Sequence, residues 1–253
     1  ILFSDYSQND IHEFLLFLMD CFHNSLKREV QMNIKGEIQN DQDKYATSCF
    51  TMVKNMYEKE YSEIFKLFYG VHVVNTFSVA TKERLNFVPE PYFIVDLPMS
   101  TKKEPSIYDC FDTYFEGEIL EGDNAWFNEK TNKKEDVTRS ITFWSLPDVL
   151  VVSFKRFTTS LRKDQRLVDF PLENLDLRKY TDGYDKESYI YDLCGVCNHS
   201  GNVMGGHYTA YVKNVDKSWY CFNDTQVNII ADTSKIVSTY AYCLFYSKKK
   251  TNK

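Results

Sequence analysis

The chain has 253 residues, 43% hydrophobic and 26% charged, with only 9 Gly and 6 Pro, which fits one large folded domain or two small ones and argues against a disordered or linker-rich chain. Its formal charge of −6 lacks the basic excess of a nucleic-acid binder, and the one dense basic run, Lys248 to Lys250, reads as a solvated tail. No apolar run has the length of a membrane span, no leader pattern opens the sequence, and seven scattered Cys form no framework; these features predict free thiols in a reducing intracellular compartment, cytoplasm or nucleus.

Residues 10–29 carry Ile11, Phe14, Leu15, Leu18, Phe22 and Leu26 at three- and four-residue steps, the pattern of an amphipathic helix. Asp10 is placed to cap it, and Glu13 three residues later completes a capping-box pattern. Residues 31–46 are polar and aperiodic and predict a loop. A second helix is expected from Phe50 to Phe68, ending at Gly70. From Val71 the texture turns to β-prone residues. Tyr92 to Leu97 predicts a strand, Ser106 to Phe115 a short helix, and Gly122-Asp123-Asn124 a turn. The run VLVVSF within residues 146–157 predicts a strand buried on both faces. Tyr189 to Val196, His207 to Val212, Trp219 to Phe222 and Tyr242 to Tyr246 read as closing strands. Helices first and a mostly antiparallel sheet afterwards define an α+β chain.

Chemistry concentrates near His207. Gly205 and Gly206 precede it, and the alternation Tyr208, Thr209, Ala210, Tyr211, Val212 follows. His207 is therefore expected at the start of a strand, rigid below and accessible above. Trp219 to Phe222 reads as the next strand, joined through a hairpin at Asn214 to Ser218. In an antiparallel hairpin the start of one strand lies beside the end of the next, which brings Asn223 or Asp224 near His207. An amide or carboxylate on one imidazole nitrogen fixes the tautomer and leaves the other nitrogen for a nucleophile.

GGHYTAYV followed by WYCFND resembles the histidine box of the ubiquitin-specific protease family. YSQNDIHEFLLFLMD at 6–20 resembles its glutamine-rich box, LPDVLVVSFKRF at 146–157 its LPxVLxxxLKRF stretch, and AYCLFYSK at 241–248 its closing strand. SEIFKLFYG, EPYFIVDLPM, VDFPLENLDLRKY and YDLCGVCNHSG match further segments in the same order. The resemblance implies a papain-like fold of thumb, palm and fingers over residues 1–253. About 1–70 would form the helical thumb part, about 71–160 fingers and palm strands, and about 161–253 the palm with the histidine box. It implies hydrolysis of the bond after the C-terminal glycine of ubiquitin by a Cys thiolate, with no cofactor. His207 would be the base, Asn223 its orienter and Asp224 an adjacent second orienter or oxyanion helper. Asp10, His12, His199, Ser200 and Tyr208 would contact the ubiquitin tail.

Two features depart from the family. Nine residues precede Asp10 and contain no Cys, and none of Cys21, Cys49, Cys110, Cys221 or Cys243 carries the nucleophile motif. The nucleophile and much of the thumb are expected upstream, and this chain alone is expected to be inactive. Packing is the expected role of Cys21 and Cys221. Many relatives also hold their fingertips with two CxxC pairs on zinc. Here residues 72–82 contain no Cys, and Asn128 and Thr131 stand at the second pair's positions, so no zinc is expected. Cys194 and Cys197 lie on a predicted strand, where residues three apart face opposite sides. Two other functions fit the same residues: a ubiquitin-binding scaffold that has lost chemistry, and a protease for another ubiquitin-like modifier.

Overall fold

The computed structural model describes residues 9–158 and 160–250. Residues 6–8 of the glutamine-rich box lie outside these. The first helix, α1 (Ile11–Leu26), starts where expected: the Asp10 side chain accepts the His12 backbone N–H at 2.7 Å. It buries Leu15 and Met19, whereas Phe14, Phe22 and Leu26 of its predicted apolar stripe are exposed. Cys21, expected to pack, is exposed as well.

The second helix differs from expectation at both ends. α2 (Asp41–Tyr57) begins well inside the predicted loop, because Asn40 accepts the Asp43 N–H and Asp41 and Asp43 occupy the first turn, where carboxylates suit the positive helix end. Residues 31–39 are loop as predicted, and the rest of the polar run is a cap and the start of the helix. The helix then breaks, Tyr61 pairs with the Arg28 backbone, and α3 (Glu63–Phe68) restarts after Ser62. Gly70 does not cap a helix. It opens strand β1 (Gly70–Ser78), where a Cβ would lie 2.4 Å from the Tyr92 ring and 2.6 Å from the Ser145 carbonyl oxygen.

The remaining elements are β2 (Arg84–Tyr92), β3 (Ile94–Pro98), α4 (Ile107–Phe115), β4 (Glu118–Leu120), β5 (Trp126–Asn128), β6 (Lys133–Glu135), β7 (Val137–Ser145), β8 (Val149–Lys155), β9 (Leu175–Asp176), β10 (Ile190–Asn202), β11 (Gly205–Lys213), β12 (Trp219–Asn223), β13 (Gln226–Ile230) and β14 (Ala241–Lys248). β2 has no sequence expectation because Pro89 and Pro91 interrupt it; it is tolerated as the edge strand of the sheet β2-β1-β7-β4. β7 and β13 were likewise unread. The full capping box forms at α4, where Ser106 and Asp109 exchange bonds, worth about 1 kcal/mol.

The larger sheet runs β13-β12-β11-β10-β14-β8-β3, with β9 beside β10; only the β3–β8 pair is parallel. As predicted, β8 is buried on both faces; it lies between β14 and the edge strand β3. Leu150, Val152 and Phe154 join the main core, which also takes Ile107, Cys110 and Phe111 of α4. Val151 faces the other way, into a second cluster with Leu15 and Met19 of α1. β10 repeats the split: Val196 enters the main core, Cys197 the α1 side. This period-two alternation puts a row of side chains under the N-terminus of α1, and the candidate site is built on that row.

Candidate active site

The β11–β12 ladder pairs Ala210 with Phe222 and Lys213 with Trp219, and the intervening hairpin spans Asn214 to Ser218 as expected. This register lays the start of β11 beside the end of β12. His207 Nε2 and Asn223 Oδ1 are 2.6 Å apart. An amide oxygen only accepts, so Nε2 carries the hydrogen and Nδ1 keeps the basic lone pair. Asp224 is more distant: its carboxylate is 4.0 Å from Nε2 and largely exposed, so water screens it. It also makes the two-residue turn into β13, at φ 49°, a left-handed conformation that Asp tolerates better than most residues.

On the other side of β11, Ser200 pairs with His207 and Tyr208 with His199. Ser200 Oγ donates to the His207 carbonyl at 3.3 Å. His199 is buried, with its ring 4.8 Å from Tyr208 and 5.7 Å from Tyr242. Lys163 donates to His199 Nδ1 at 3.1 Å and to its carbonyl oxygen. Burial and the Lys163 charge both hold the His199 pKa below its ordinary value. Gly206 is required here, because a Cβ would stand 2.2 Å from His199 Nε2 and 2.5 Å from the Ser200 carbonyl oxygen.

Asp10 and His12 lie at the start of α1. Asp10 Oδ1 is 2.8 Å from His12 Nδ1, and His12 Nε2 is 2.6 Å from Ser153 Oγ on β8 and 3.5 Å from Asp96 on β3. The His12 ring meets Tyr242 edge-on at 5.3 Å. Burial pushes the pKa of the Tyr208 hydroxyl up to about 12. The structure thus gathers the predicted residues into two adjoining groups: His207, Asn223, Asp224 and Ser200 at the hairpin corner, and Asp10, His12, His199 and Tyr208 around the Tyr242 ring. Ser153, Asp96, Lys163 and Tyr242 escaped the sequence reading. Tyr242 in the matched closing strand, Ser153 in the LPxVLxxxLKRF-like stretch and Asp96 in EPYFIVDLPM stood in matched segments; Lys163 did not.

No cysteine thiol joins the hairpin corner as an activated group. Burial raises the Cys197 thiol to about 12 and raises that of Cys243 well above its ordinary value. Cys194 lies outside the α1-side cluster that takes Cys197, and its thiol contacts the Phe245 carbonyl, so the CxxC pair is divided between surroundings. At the β5–β6 hairpin, Asn128 and Thr131 both donate to Glu135 Oε1, at 2.9 and 2.6 Å. These side chains are spent on each other and do not form a zinc ligand set.

An imidazole set by an amide on a rigid hairpin corner is the arrangement that thiol hydrolases use for their base. The chain belongs to the ubiquitin carboxyl-terminal hydrolase family, whose sequence model matches residues 2–246. It is 36% identical over 172 residues to ubiquitin carboxyl-terminal hydrolase 9 of Arabidopsis thaliana, covering 66% of this chain and 19% of the relative. It is 30% identical over 250 residues to ubiquitin carboxyl-terminal hydrolase 2 of Bos taurus, covering 96% of this chain and 41% of the relative. The SAGA Ubp8/Sgf11/Sus1/Sgf73 DUB module bound to ubiquitin aldehyde contains a chain of the same fold, with TM-score 0.73 and 25% identity, covering 98% of this chain and 50% of that one. This chain therefore spans half or less of the length of each of these relatives.

Proposed function

We propose that the full-length protein is a deubiquitinase that cleaves the peptide or isopeptide bond after the C-terminal glycine of ubiquitin, using a Cys thiol from outside these 253 residues. The observation that carries this reading is the 2.6 Å His207–Asn223 bond, which leaves Nδ1 as the basic nitrogen. His207 Nδ1 takes the thiol proton as sulfur attacks the carbonyl carbon. The imidazolium then protonates the departing amine, leaving a thioester. Water attacks the thioester, gives a proton to His207, and the thiol is restored. Asn223 keeps the ring in place but, being neutral, supports the imidazolium less than a carboxylate would. Asp224 flanks this pair. Asp10, His12, His199, Ser200 and Tyr208 form the wall of the tail channel.

In the same reading residues 1–253 act as one catalytic unit. About 1–70 supply helical thumb, about 71–160 fingers and palm strands, and about 161–253 the palm. The division is supported by β3 and β8 lying in the same sheet as the histidine hairpin while β1, β2, β4 and β7 form their own. The seven cysteines are all free, which accords with an intracellular compartment. Among the described residues no helix is long and apolar enough to cross a membrane.

The test is release of a fluorogenic amine from the C-terminus of ubiquitin by the full-length protein. Release is expected, with loss on His207→Ala and on thiol alkylation. Full activity in the His207→Ala protein would overturn the assignment of the base. Ubiquitin binding without turnover would make the protein a scaffold, and turnover only of a ubiquitin-like modifier would change the substrate.

A further inference from the structure

His12 is less available to a ligand than its place in the channel wall suggests. Its ring has two nitrogens, and both are engaged: Nδ1 with Asp10 at 2.8 Å, Nε2 with Ser153 at 2.6 Å. Ser153 is 1% exposed, so it cannot touch a substrate. Its hydroxyl reaches His12 because Ser153 and Val151 share the β8 face that carries α1. Asp10 caps α1 and holds the His12 backbone N–H with the same carboxylate oxygen. One chain of contacts therefore runs from the half-exposed Asp10 through His12 to a buried hydroxyl on β8.

We infer that His12 is a positioning residue, a strut between Asp10 and Ser153 that fixes the first turn of α1 over β8 and so aims the Asp10 carboxylate into the tail channel. The inference rests on the proposed deubiquitinase reading for its functional consequence, though not for the strut itself. The groups facing His12 are Asp10 on its own helix, Asp96 on β3, Ser153 on β8 and the Tyr242 ring on β14. Burial opposes protonation of His12, but the Asp10 hydrogen bond and the Asp10 and Asp96 charges outweigh it, and its pKa lies above the ordinary value. In the neutral ring Nδ1–H donates to Asp10 and Nε2 accepts the Ser153 hydroxyl. In the imidazolium both N–H groups donate. The strut therefore persists in both states and is tightest in the protonated one.

The deciding comparison is between a residue that can reach a substrate and one that cannot. In the full-length protein, His12→Ala and Ser153→Ala are each expected to weaken ubiquitin binding and raise KM about tenfold, the size of one charge-assisted hydrogen bond, with a smaller change in kcat. The double variant is expected to be no worse than His12→Ala alone, and His12→Gln, which can donate and accept, is expected to recover part of the loss. A Ser153→Ala protein that binds like wild type while His12→Ala fails would make His12 a direct contact and overturn the inference. If wild type neither binds nor cleaves ubiquitin, the deubiquitinase reading fails, and NMR titration of the His12 ring then decides the strut. A raised pKa that falls in Asp10→Asn supports it, and a titration unmoved by that change refutes it.

Discussion

His207 and His12 are each fixed by hydrogen-bonding partners, but by different routes. His207 takes its partner from 16 residues away, across one hairpin. His12 takes Ser153 from 141 residues away, across a helix–sheet contact. The first bond depends on ladder register alone; the second needs α1, β3 and β8 all in place. The hairpin corner should therefore lose chemistry when altered and keep its fold, while the α1 contact should lose affinity and stability together.

The largest expected effect is at the hairpin. Asn223→Ala frees the His207 ring to rotate, and kcat should fall about 10²- to 10⁴-fold with melting temperature almost unchanged. A fall in melting temperature that accounts for the lost activity would erase the contrast between the two histidines. Next is Gly206→Ala, where backbone of β11 presses on the buried His199 ring. The added methyl must displace His199 or the Ser200 carbonyl, so a destabilisation of about 1–3 kcal/mol is expected by denaturant unfolding, together with lost activity. An unchanged midpoint would show that the ring moves freely.

What could be read in advance follows the same division. The α+β order, the β11–β12 hairpin and the His207–Asn223 pair were legible because each is set by residues close in sequence. Ser153 was hidden: in VLVVSF it reads as one polar residue in a buried strand, and nothing local says that α1 lies above it. The start of α2 was missed for a different reason. Asn40, Asp41 and Asp43 look like loop composition, yet they satisfy free N–H groups and complement the positive helix end. β2 was masked by Pro89 and Pro91, which only an edge position can absorb.

The β5–β6 hairpin extends the local case. Glu135 Oε1 accepts from Asn128 and Thr131, seven and four residues away, the two positions at which the family resemblance would have put cysteines. Glu135→Ala should cost about 1 kcal/mol and raise amide exchange in residues 126–135 while leaving the main core protected. A zinc chelator should leave the wild-type melting curve unchanged. A chelator-sensitive melt would replace the hydrogen-bonded hub with a metal.

The smallest effect separates two long-range histidines by sign. The His12 pKa is raised, so its contribution to stability is fully present below the unfolded value of 6.5 and is lost as pH rises through the folded value. Asp10, lowered chiefly by its His12 hydrogen bond, contributes above its unfolded value of 3.8 and loses that contribution as pH falls through the folded one. Their pairing is therefore strongest between these limits. His199 is depressed by burial and Lys163, so its neutral-state contact is favoured above 6.5 and lost as pH falls through its folded value. Acidification from about pH 8 to about pH 5.5 should strengthen the α1 strut while loosening the Lys163 contact. The melting-temperature difference between wild type and His12→Gln should grow over that range, and the difference between wild type and Lys163→Met should shrink. Parallel trends in both pairs would mean that the two rings sense one shared field rather than their own partners.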